Sequence, residues 1–208
     1  MVFLVIIDIY IRMKGLIKQL LREGLNEKFN IIQNTLNITE PYDGIQKFNI
    51  NGKNVYALFG NVDYYKNKES ILAIKRKSQE LKLDHNNYAN FMSEFSKRFN
   101  SIPELKESTI IASIDSTTPV TDEMASSKGK PYEKNGFKKI DDTFKMRSIP
   151  IDKRGEISNI FNMNFNINND NICILDDFIT TGSSFKNAFN IIPNNINSVG
   201  VCLFKLES

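Results

Sequence analysis

Two adjacent carboxylates, Asp176 and Asp177, are followed after two apolar residues by Thr180-Thr181-Gly182-Ser183-Ser184. No other stretch of the chain combines residue types so suited to chemistry. Hydroxyls and backbone N–H groups gathered at the start of a helix hold a phosphate dianion, helped by the positive end of the helix dipole. Gly182 would let the backbone approach that anion with no Cβ in the way. Carboxylates beside such a cradle repel phosphate, so their natural partners are hydroxyls or a cation. A sugar phosphate satisfies both halves of the site. The plainer alternative is a strand-to-helix turn whose Asp and Ser residues only cap a helix.

The flanking sequence supplies the elements that must position these groups. Ile172 to Leu175 form an unbroken apolar run, the pattern of a strand buried on both faces in a parallel sheet. From Phe185 the apolar residues recur at 185, 188, 189 and 192, one stripe of a helix that stops before Pro193. Residues 198–204 make a second nearly continuous apolar strand, so that 172–204 reads as a right-handed βαβ unit. The acids then stand at the carboxyl end of a parallel strand, where α/β folds place their ligands. A further strand, residues 108–114, runs into Asp115-Ser116-Thr117-Thr118-Pro119, a small polar loop expected at the same edge.

Elsewhere the chain offers little chemistry. Its 208 residues suffice for one α/β domain with a small accessory lobe, and 41% apolar with 25% charged residues is an ordinary globular balance. A net charge of +3 is too small to argue for nucleic acid or an anionic membrane. Cys173 and Cys202 sit in apolar surroundings and read as buried hydrophobes, with no disulfide framework or metal-ligand spacing. His85 lies in a polar stretch and reads as a solvated loop residue, with a general base as the alternative. The apolar run in residues 1–12 is too short to span a bilayer and lacks the marks of a signal peptide. It is expected to be an upstream extension before an amphipathic helix that opens near Met13. A cytoplasmic protein without a membrane partner is therefore expected.

Residues 45–50 and 55–59, joined by Asn51-Gly52, predict a hairpin, because both turn positions need positive φ. Residues 66–83 and 86–99 read as helices. The second carries Tyr88, Phe91, Met92, Phe95 and Phe99 as a core stripe. The first carries Lys75-Arg76-Lys77, read as a solvated face, with diphosphate binding by Lys75 as the alternative. Residues 119–148 look loop-like, with Gly129, Gly136, Pro131 and several lysines. They are expected to be a surface excursion or a lid that closes on the reaction.

The run Ile172–Leu175, Asp176-Asp177, Phe178-Ile179, Thr180-Thr181-Gly182, Ser183-Ser184 resembles the phosphoribosyl-diphosphate-binding motif of the type I phosphoribosyltransferases. The resemblance implies that Asp176 and Asp177 hold the ribose hydroxyls while the loop from Ile179 to Ser184 holds the 5′-phosphate. It also implies that Asp115, Ser116, Thr117 and Thr118 grip the diphosphate, joined by basic residues for which Lys75 and Arg154 are the candidates. Asn135-Gly136-Phe137-Lys138-Lys139 and Arg154 to Phe161 are similar to segments of the competence-protein-F-like branch. Asn135 stands where that branch has Arg, the spacing from Arg154 is shortened, and the branch's N-terminal zinc cysteines are absent.

The expected architecture is α/β: a central parallel sheet of the type I phosphoribosyltransferase kind with helices on both faces, spanning 61–208. A small N-terminal α+β appendage, 1–60, would be available as a hood. The expected reaction is transfer of a phosphoribosyl group from phosphoribosyl diphosphate to a nitrogen nucleophile. Mg²⁺ would be carried by the substrate and water near Asp176 and Asp177, with no protein cage. Two alternatives use the same site: a non-catalytic sensor of phosphoribosyl compounds, and a competence-type module of DNA uptake or processing. A homodimer fits any of these, and the acceptor is not named by the sequence.

Overall fold

The computed structural model describes residues 44–63, 65–68, 71, 85–115, 119–141, 148–167 and 171–207. In chain order the elements are strands β1 (Gln46–Ile50), β2 (Lys53–Ala57) and β3 (Asn61–Asp63), helices α1 (His85–Ser101) and α2 (Pro103–Lys106), β4 (Ile110–Ile114), α3 (Pro119–Ser126), β5 (Tyr132–Lys139), a 3-10 helix (Ile151–Glu156), β6 (Phe161–Met163), β7 (Ile172–Leu175), β8 (Phe178–Ile179), α4 (Ser183–Ile191), β9 (Ser198–Cys202) and β10 (Phe204–Glu207). They build a seven-stranded sheet in the order β1-β2-β9-β7-β4-β5-β6 and a three-stranded sheet in the order β3-β10-β8.

In the large sheet β2, β9, β7, β4 and β5 are parallel to their neighbours, and only the edges β1 and β6 run antiparallel. The apolar runs dictate this. Every residue of β4 and of β7 is buried, so both faces of these strands need cover. One face packs Ile111, Cys173, Leu175 and Val201 against Phe91, Phe95 and Phe99 of α1. The other packs Ile110, Ala112, Ile172 and Ile174 against Phe185, Ala188 and Phe189 of α4. The α/β reading with helices on both faces therefore holds, and the aromatic stripe of α1 is core. No described helix is long and apolar enough to cross a membrane.

Four expectations change. The hairpin is present, with Asn51 at φ 52° and Gly52 at φ 78°, but β2 pairs in register with β9 through Val55↔Gly200. Residues 46–57 are thus an edge of the main sheet and not part of an appendage; the rest of that stretch, 1–43, lies outside the described residues. The segment read as a loop is no loop either over its described residues 119–141. It contributes helix α3 and the sheet strand β5, which pairs with both β4 and β6. Its polar composition concealed a strand whose core contribution is Phe137, fully buried, beside Gly136. A Cβ on Gly136 would lie 2.9 Å from the Phe165 ring and 3.1 Å from Ala112 Cβ, so the position must stay bare. His85 opens α1 and is not a loop residue. The last strand, read as 198–204, is broken into β9 and β10.

That break is shared. β2, β9 and β7 each stop and resume one step further on as β3, β10 and β8, in the same lateral order. Backbone bonds carry the pairing across the gap: Leu58 N to Cys202 O at 3.0 Å, Phe59 N to Leu203 O at 2.8 Å and Leu203 N to Asp177 O at 2.9 Å. Asp176 and Asp177 are the residues that bridge β7 and β8.

At the opposite edge the Glu104 carboxylate on α2 accepts bonds from Asn54 Nδ2 at 2.6 Å and from the Tyr56 hydroxyl, with Lys47 Nζ at 3.8 Å. The Tyr56 bond first, and then Asn54 and Lys47, hold this carboxyl below its ordinary range against an opposing effect of burial. A lowered carboxyl pKa contributes stability that is present above the unfolded value and lost as pH falls through the folded one. Glu104→Gln should therefore lower Tm at pH 7, by about 1–3 °C for so exposed a group. The difference should close as the pH is lowered from 7 through the folded value of this carboxyl, where it becomes neutral like the amide. Thermal melts across that range check it; a constant difference would assign the effect to packing.

Candidate functional site

The run from Asp176 to Phe185 folds into a compact turn between β7 and α4. Gly182 stands at the helix N-cap with φ 79° and ψ 4°, a left-handed conformation in which only glycine is unstrained. Gly182 has no side chain with which to cap the first amides of the helix. Ser183 N donates weakly to Thr181 Oγ1 at 3.4 Å, and the hydroxyls of Thr181 and Ser183 lie 2.8 Å apart. Asp176, Phe178 and the run Ile179 to Phe185 line a shallow concavity of about 40 Å³.

The two acids differ. Asp177 is buried, and its Oδ1 accepts from Phe178 N at 2.7 Å. Asp176 is half-buried, lines the concavity, and uses Oδ1 to accept from Asp177 N at 2.8 Å. Each carboxylate thus spends one oxygen on the next backbone N–H, the local turn chemistry expected of Asp. Their charge is felt nearby. Burial pushes the Cys202 thiol well up, and Asp176 and Asp177 raise it further. Cys173 is likewise pushed up by burial, so neither cysteine offers a thiolate.

Gly182 lines the concavity and also packs against the hairpin. A Cβ there would lie 2.6 Å from Ile50 Cδ1 on the hairpin and 3.5 Å from Ile179 Cδ1, a residue that lines the concavity. The glycine is required by its φ and by its close contact with Ile50.

β4 is the in-register neighbour of β7, with Ile110↔Ile172 and Ser113↔Leu175. Asp115 therefore stands at the same sheet edge as Asp176, as the sequence suggested. Its described contacts are structural: its N–H donates to Phe137 O at 2.8 Å and its Oδ2 accepts from Lys139 N at 3.2 Å. Ser116, Thr117, Thr118 and Lys75 lie outside the described residues. Arg154 is in the 3-10 helix, where its Nε donates to Ile149 O at 2.9 Å. Among the described residues no group of three or more His, Cys, Asp or Glu is placed to hold a metal ion.

The structure adds a residue that sequence reasoning missed. Lys205 of β10 pairs with Ile179 of β8. Phe204 and Leu206 face the α1 side of the molecule, so alternation puts Lys205 on the α4 side, beside Ile179 at the start of the candidate loop. Its Nζ lies 5.1 Å from the centroid of the Phe48 ring and 3.9 Å from Glu207 Oε1. The only signal in the sequence was a lone cation in an apolar strand. No protein-family model matches this chain, and no curated protein matches it either.

Proposed function

We propose that the protein binds 5-phosphoribosyl 1-diphosphate and transfers its phosphoribosyl group to a nitrogen nucleophile. The observation that carries this reading is the continuous turn in which a concavity-lining carboxylate, Asp176, leads within one loop to the first amides of α4 and paired hydroxyls. A sugar with hydroxyls at one end and a phosphate at the other matches that order. In the reaction the C1′–O bond breaks and its electron pair leaves with the diphosphate. The acceptor's nitrogen lone pair then forms the C1′–N bond. The amides of Thr180 to Ser184 and the Thr181 and Ser183 hydroxyls hold the 5′-phosphate, and Lys205 adds a positive charge beside them. Asp176 orients the ribose and faces the positive charge that develops on the sugar. Asp115, at the head of the adjacent strand, leads into the diphosphate loop. A divalent cation such as Mg²⁺ would supply charge neutralisation on the leaving group; a concavity lined by one half-buried carboxylate, Asp176, suits an ion that arrives with substrate and water.

The sensor reading uses the same site without turnover, and the engagement of both carboxylates with backbone N–H groups favours it. Diphosphate release from phosphoribosyl diphosphate and Mg²⁺, screened over nucleobases and small amines, decides between them. Release stimulated by one class of acceptor is the expected result. Binding measured by calorimetry with no release for any acceptor would make the protein a sensor, and no binding would sink both readings.

A further inference from the structure

Asn187 is almost fully buried, at 2% exposure, on the inner face of α4. Its Nδ2 donates twice, to Ser183 O and to Ile157 O, both at 2.9 Å. Two carbonyl acceptors fix the orientation of the amide, because only its nitrogen can satisfy them. Its Oδ1 is then left buried with no hydrogen-bond partner. Two amide–carbonyl bonds of modest net worth, set against one buried acceptor left unmade, roughly cancel. A residue kept for stability alone would be apolar here, since the neighbours Phe185, Ala188 and Phe189 are. What the amide does achieve is a link. Ser183 is the first residue of α4 and half of the hydroxyl pair in the phosphate loop, while Ile157 closes the 3-10 helix that carries Arg154.

We propose that Asn187 is a positioning residue that ties the Arg154-bearing segment to the first turn of the phosphate-loop helix, so that ligand binding orders both as one unit. This rests on the phosphoribosyl-binding reading above. The link sets the angle at which the amides of Ser183 and Ser184 meet the anion, and it holds residues 149–157 against the loop from outside the sheet. Asn187 touches no substrate; it acts through Ser183 and Ile157.

Asn187→Leu keeps the branched shape and the number of heavy atoms, at a somewhat larger volume, and removes both bonds together with the unmade acceptor. With ribose 5-phosphate as the probe, we expect its affinity for this variant to fall about tenfold by calorimetry, while Tm stays within a few degrees of wild type. A purely structural role predicts the reverse, a lowered Tm with affinity kept, and that outcome overturns the inference. Should the variant fail to fold, hydrogen exchange on the wild type decides. Ribose 5-phosphate should protect the amides of 154–160 together with those of 180–184, and protection confined to 180–184 would overturn the link. Wild type that does not bind ribose 5-phosphate at all overturns the phosphate cradle, and the inference falls with it. Wild type that binds while Asn187→Leu binds equally well overturns the inference alone.

Discussion

Asp176→Asn is expected to slow diphosphate release about 10²–10³-fold, the usual loss for one electrostatic contact made to a developing charge. The amide keeps the shape and can still accept from Asp177 N, so the turn should survive. Affinity for phosphoribosyl diphosphate should change far less than the rate, because the sugar carries its positive charge only in the transition state. Asp177→Asn provides the contrast. That side chain is buried, does not line the concavity, and accepts from Phe178 N, a bond that the Asn oxygen can also accept. Its effect on the rate should stay within about tenfold. Release and calorimetric affinity measured on the same two proteins test this. Equal loss of both at Asp176 would make it a ribose ligand only, and a larger loss at Asp177 would reverse the roles.

Gly200→Val is expected to give the largest loss of stability. Gly200 sits in β9 between Val55 and Ile174, under the first turn of α4. A Cβ there would come within 2.8 Å of the Phe185 ring and of Val55 Cγ2. Neither neighbour can retreat: both are buried, one under a helix and one in an inner strand. Forcing a branched side chain into this contact costs about 3 kcal/mol, roughly 6–12 °C in Tm for a chain of this size. Gly200→Ala should cost less, since one carbon is added and the unfolded chain loses some freedom. Phe185 follows directly on Ser184, so the Val variant should also weaken phosphate binding before it unfolds. Melting curves with and without ribose 5-phosphate would show this as a smaller ligand-induced rise in Tm than in wild type. An unshifted Tm would mean that α4 can slide on the sheet.

How far the sequence disclosed the fold depended on what each strand had to bury. β4 and β7 are covered on both faces and announced themselves as apolar runs. The hairpin was legible from Asn51-Gly52, because that pair has few other uses. β5 was not. It lies next to the edge strand β6, its lysines point outward, and its pairing with β4 is irregular: Ala112 meets Glu133 but Ile114 meets Phe137. Asn135 takes φ 52° inside that irregularity and donates its N–H to Ser113 Oγ, a bulge that no periodicity encodes. The candidate loop was legible because its chemistry is local in the chain. Its supports were not, since Ile50, Lys205 and Ile157 meet it only through the fold.

The aligned break in β2, β9 and β7 sets a rule about length. The steps between the two sheets are Leu58-Phe59-Gly60, Leu203 and Asp176-Asp177, three segments of different size that end in register. Adding or deleting one residue in any of them would turn the following strand over, sending Phe178, Phe204 or Val62 from the core to the opposite face. Homologous chains should therefore keep the residue count of each step, and the burial of Leu58, Phe59 and Leu203 should keep the first two steps apolar as well. Insertions that tune substrate choice would have to enter elsewhere, at the hairpin tip or between β5 and β6. For the acids, a pair is then also a distance: two residues are what the chain needs to cross from one sheet to the other.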